Sequence, residues 1–75
     1  MNWGLLWADF DKKRDITDKV ARAAARFSEK FGQEPTLCYV HPSMIDGTLQ
    51  INGIRVEPVH NVLKHHFWIG VEEGT

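Results

Sequence analysis

Cysteine is almost missing from this chain: Cys38 is the only one in 75 residues. No intramolecular disulfide can form, so a cysteine-stapled secreted scaffold is excluded. Long apolar runs are missing too, and nothing approaches the roughly 18 residues a membrane span requires. The apolar patch from Trp3 to Trp7 is too short for a signal h-region. It has no basic segment ahead of it and runs into Asp9, Phe10 and Asp11. These absences give the expectation of a soluble, cytoplasmic protein that makes no use of a membrane. Neither sign of charge dominates, and a net charge of −1 removes the global electrostatic case for nucleic acid or anionic lipid. Repeats, low-complexity segments and linkers are also absent, which leaves one domain over residues 1–75.

What is present is a capped helix followed at once by an apolar strand. Ile16, Val20, Ala23, Ala24, Phe27 and Phe31 recur at helical spacing, while Lys19, Arg22, Arg26 and Lys30 face away. Asp15 or Thr17 can accept from the free first-turn amides, and Asp18 complements the dipole there. Gly32 supplies a left-handed stop and Pro35 prevents resumption. Thr36 to Val40 then reads as a buried strand. Lys12 to Lys30 holds seven basic residues against Asp15, Asp18 and Glu29, whereas the C-terminal end carries Glu72 and Glu73.

Strand signals flank this unit. Trp3 to Asp9 alternates as a strand, with Trp3, Leu5 and Trp7 on one side and Leu6 and Ala8 on the other. Residues 10–15 form a charged loop, and Pro42-Ser43 and Asp46-Gly47 mark turns. Thr48 to Ile51, Asn52-Gly53 and Ile54 to Val56 read as a hairpin on a type I′ turn, because Asn and Gly tolerate positive φ best. Pro58 ends that strand, His60 to Lys64 reads as a loop or short helical turn, and His66 to Val71 as a closing strand.

The predicted fold is therefore α+β: one helix on one face of a mixed four- to five-stranded sheet, in the order β-α-β-β-β-β. A right-handed crossover would make the first two strands parallel neighbours. Leu6, Ala8, Leu49, Ile51, Ile54, Val56, Phe67 and Ile69 are assigned to the helix side. The other face is then expected to carry Trp3, Trp7, Gln50, Arg55, His66, Trp68 and either Tyr39 or Cys38. An exposed patch of that kind marks an interaction surface unless residues 57–65 or the N-terminus fold across it.

Three chemistries follow from these residues. Trp3, Trp7, Tyr39 and Trp68 could stack single-stranded nucleic acid, with Arg55 or the basic face of Arg22, Arg26 and Lys30 on phosphates. Against this, Asp18–Arg22 and Arg26–Glu29 are spaced to pair within the helix. The histidines at 41, 60, 65 and 66, with Cys38, are the stock of metal ligands, but no C-x₂-C or H-x₃-H spacing draws them together. Cys38 with His41 is the one candidate nucleophile and base, yet no second acid or Gly-rich loop accompanies it and mid-strand thiols are commonly inert.

The run Phe31-Gly32, Pro35-Thr36, Cys38 to Pro42, Gly53 to Val56, Pro58 and His66 to Gly70 resembles a family of short bacterial proteins with no assigned activity. The resemblance spans nearly the whole chain after the first strand and implies no catalytic or binding residue. The sequence expectation is a non-catalytic binding or assembly module without metal or cofactor. It would act through Trp68, Trp7, Trp3, Tyr39, Arg55 and His66 on a homo-oligomeric or other protein partner. Single-stranded nucleic acid is the alternative.

Overall fold

The helix forms where local chemistry requires it. In the computed structural model, which describes residues 2–72, α1 spans Ile16–Phe31. Asp15 is its N-cap, with extended backbone and a carboxylate accepting from the Asp18 amide at 2.9 Å. Gly32 takes φ 73° and donates its amide to the Ser28 carbonyl at 2.8 Å, closing the last turn. Val20, Ala23 and Phe27 are fully buried, half-buried Ile16 and Ala24 pack against the same core, and Phe31 sits against Trp3 at the helix end. Lys19 departs from the expected outer stripe: it is buried, and its Nζ donates to the Asp9 carbonyl at 3.3 Å.

Five strands complete the domain: β1 (Asn2–Ala8), β2 (Leu37–Val40), β3 (Leu49–Ile51), β4 (Ile54–Pro58) and β5 (His66–Glu72). They make one mixed sheet in the spatial order β1-β5-β2-β4-β3. The fold is α+β, one helix on a five-stranded sheet. Asn52 (φ 51°) and Gly53 (φ 79°) form the tight turn between β3 and β4, as their sequence requires.

The expected neighbourhood of the first two strands is overturned. β5 inserts between β1 and β2 and is antiparallel to both, so β1 and β2 run in the same direction without touching as ladder partners. The parallel ladder is instead β2 with β4. Inserting β5 covers both of its edges and brings Phe67 and Ile69, both fully buried, to the centre of the core. Residues 60–64 form no helix; turns at 60–61 and 64–65 flank a bend at 62, and His65 takes φ 66° where the chain enters β5.

The helix-side core is Val20, Ala23, Phe27, Cys38, Val40, Ile51, Ile54, Val56, Phe67 and Ile69. Burying each of the larger side chains contributes roughly 1.5–3 kcal/mol. Trp3, Leu5 and Trp7 also pack on this side, against the expected assignment of Leu6 and Ala8. The Trp3 ring lies 5.3 Å from Phe27 and 4.9 Å from Phe31. The physical reason is area: from Trp3 to Ala8, the odd-numbered residues offer two indoles and a leucine to the helix, the even-numbered ones Gly4, Leu6 and Ala8. No helix among the described residues is long and apolar enough to cross a membrane.

Candidate functional site

The face of the sheet away from α1 is organised in rows that cross the strands. One row runs Leu6, Trp68, Tyr39, Glu57, and the next Gly4, Gly70, Leu37, Arg55, Gln50. The two glycines matter to the first row. Nothing projects from Gly4, so the Trp68 indole sits directly over it; a Cβ there would fall 2.8 Å from indole Cζ2. Trp68 also stacks on Tyr39, with ring centres 5.3 Å apart and planes 25° from parallel. Leu37, between Gly70 and Arg55, is fully buried although it lies outside the helix-side core.

The face has two halves of opposite character. On the β4 side, the Arg55 guanidinium donates through Nε to Glu57 and through Nη2 to Glu72 at 2.8 Å. The Glu57 hydrogen bond, then that of Glu72, pushes the Arg55 pKa further up, so this cation is held by two carboxylates on its own sheet. Glu73, the other acid of the C-terminal end, lies outside the described residues.

On the β1 side, the segment between β4 and β5 arches beside the rings and walls an open cleft of about 610 Å³. Leu6, Tyr39, Val59, Asn61, Val62, Leu63, His66 and Trp68 line it. Leu6 and Leu63 are 61% and 71% exposed, which is unusual for leucines facing the same concavity. His66 is oriented from behind: its Nδ1 donates to the Lys64 carbonyl at 2.9 Å, and its ring meets Phe10 edge-on at 5.7 Å. The lining contains no Lys, Arg, Asp or Glu. A concave, largely apolar wall of this size, whose polar groups belong to Tyr39, Asn61, His66 and Trp68, suits an apolar occupant.

Of the residues expected on this face, Trp68, Tyr39 and His66 are brought together in the cleft, and Arg55 shares the face but not the cleft. Trp3 and Trp7 are not there. Trp3 belongs to the Phe27–Phe31 cluster, and Trp7 lies beneath Arg26, whose Cζ is 5.5 Å from the ring centre. Leu6, Val59, Asn61, Val62 and Leu63 were not singled out by their sequence. Gly4, a glycine inside an apolar strand, was the one signal of a close approach.

The basic helix face is remote from the cleft and largely neutralised. Arg22 Nε lies 3.5 Å from Asp18, Arg26 Nη1 lies 3.6 Å from Glu29, and Lys30 sits 5.7 Å from the Phe31 ring centre. Cys38 points to the helix side, and burial pushes its thiol up to about 12. His41 is turned to Ser43, accepting from its amide at 3.0 Å with the hydroxyl at 2.8 Å. No three His, Cys, Asp or Glu side chains converge as a metal site among the described residues. Comparison with protein-family models, curated proteins and solved structures finds no match.

Proposed function

We propose that this chain is a non-catalytic binding module that receives an apolar side chain of a protein partner in the cleft over Tyr39 and Trp68. The observation that carries the reading is the pair of exposed leucines, Leu6 and Leu63, flanking a 610 Å³ concavity with no charged lining. Water over such a surface is displaced favourably by an apolar group, and large aromatics are the residues on which interface energy concentrates. The absence of charge in the lining favours a neutral occupant over a phosphate backbone. The one arginine on this face already has two carboxylate partners.

Titration of isotope-labelled protein with indole, a stand-in for an apolar side chain, tests the reading. At roughly 0.3–0.5 kcal/mol per non-hydrogen atom, binding should saturate in about the millimolar range. Signals of Leu6, Leu63 and Trp68 should move in the natural chain, and those of Leu6 and Trp68 should stay fixed in Leu63→Glu. Absence of any shift overturns the proposal. Shifts of these signals with an oligothymidylate and none with indole would make the surface a base-stacking platform instead.

A further inference from the structure

The sheet also has an edge whose sequence is unusual for an edge. β1 is seven residues long, as is β5, and among the described residues it has a strand on one side only. Alternate residues therefore turn N–H and C=O groups outward along about 23 Å. Natural sheets blunt such edges with charge, proline, bulges or brevity. The opposite edge follows this rule, since β3 has three residues. β1 has none of these devices. Its sequence NWGLLWA carries no charge and no proline, and its register with β5 runs unbroken from Asn2–Glu72 to Ala8–His66.

We propose that β1 pairs antiparallel with β1 of a second copy, joining the two sheets into one of ten strands about a twofold axis. Pairing centred within Gly4–Ala8 sets uncharged residues against uncharged residues, so self-association meets no like-charge opposition along the strand. With Leu6 on the axis, Leu6 (61% exposed) meets its own copy on the cleft side and exposed Ala8 lies against Gly4 of the second copy. On the helix side, Leu5 and Trp7 border a groove of about 490 Å³ with Arg26, Glu29 and Lys30. A twofold axis normal to the sheet puts both helices on one side, where each copy brings Arg26, Glu29 and Lys30 to the joint. An edge about 23 Å long on a molecule 20 Å across its shortest extent comes within about a factor of two of the ~800 Å² per partner of a standard interface. The contact shares Leu6 with the cleft, and Leu63, which lines the cleft but lies outside β1, separates the two.

Sedimentation across a dilution series should give twice the 8.6 kDa of one chain when concentrated. Leu6→Lys places like charges across the joint and should raise the dimer–monomer midpoint by about tenfold or more, with an unchanged far-ultraviolet spectrum. Leu63→Lys adds the same charge to the same cleft from outside β1 and should leave the dimer intact. A natural chain that is monomeric throughout, or a dimer that withstands Leu6→Lys, overturns the proposal. So does a dimer lost in Leu63→Lys, which would move the interface to the cleft. Should Leu6→Lys fail to fold, amide hydrogen exchange on the natural chain decides. Consecutive amides from Leu5 to Ala8 should all be slow in the dimer and alternate on dilution. Alternation already present at high concentration rules the edge contact out.

Discussion

Trp68 rests on Gly4: the indole occupies the space a Cβ on β1 would take, and the Ile69 carbonyl oxygen, at 2.5 Å, closes the other side of that space. Gly4→Ala should therefore lift Trp68 off Tyr39. The expected cost is about 1–3 kcal/mol, as for other overpacked positions. Urea unfolding gives the stability, and loss of near-ultraviolet ellipticity reports the displaced ring. Gly70→Ala should cost more, because there the added carbon meets only backbone, the Trp3 carbonyl and the Gly4 Cα, and meets it more closely, whereas at Gly4 two of the three nearest atoms belong to the Trp68 ring.

Trp3 and Tyr39 should separate by role. Trp3→Ala removes a ring packed on Phe27 and Phe31 and should lower stability by about 2–4 kcal/mol. In the indole titration, Trp3→Ala should retain binding under conditions where it is still folded. Tyr39→Leu keeps bulk on the cleft floor but removes the stacked ring, and should weaken indole binding while the unfolding midpoint changes little.

Stability should depend on alkaline pH through Cys38. In the unfolded chain the thiol ionises near its ordinary value of 9.0, whereas in the fold it stays protonated to about 12. Above about pH 9 the unfolded state therefore binds fewer protons than the folded one, and stability falls as pH rises towards 12. The contribution is up to about 4 kcal/mol for a shift of this size. Denaturant unfolding of the natural chain and of Cys38→Ala between pH 8 and pH 10.5 checks it: the steeper decline belongs to the natural chain.

Asp15 should be worth about 1 kcal/mol as the helix N-cap. Asp15→Asn keeps an acceptor for the Asp18 amide and should recover most of what Asp15→Ala loses, as read from thermal unfolding.

Features governed by near neighbours in the chain were legible. Asp15, Gly32 and the Asn52-Gly53 turn act over a few residues, and the structure places each as its sequence requires. The alternation of β1 was legible too, but not which side faces inward. Two faces of similar polarity left the choice to packing, and the two indoles decided it. Strand order was not legible, because the pairing of Leu6 with Trp68 or Cys38 with Ile69 depends on residues far apart in sequence with no local mark of each other. The cleft was hidden for a further reason: residues 59–63 have no periodicity, and only the arch they make beside Trp68 gives Leu63 a meaning.

The insertion of β5 between β1 and β2 has a consequence for how the chain is made. During synthesis, residues 2–40 emerge as a strand, a helix and a second strand that have no ladder in common. Until His66–Glu72 has left the ribosome, Trp3 and Phe27 have no completed sheet beneath them, and no smaller part of the chain closes the core. Acquisition of structure should be late and all at once, at the pace of long-range strand pairing rather than of helix formation. A nascent chain stalled before β5 is the form most exposed to chaperones and proteases.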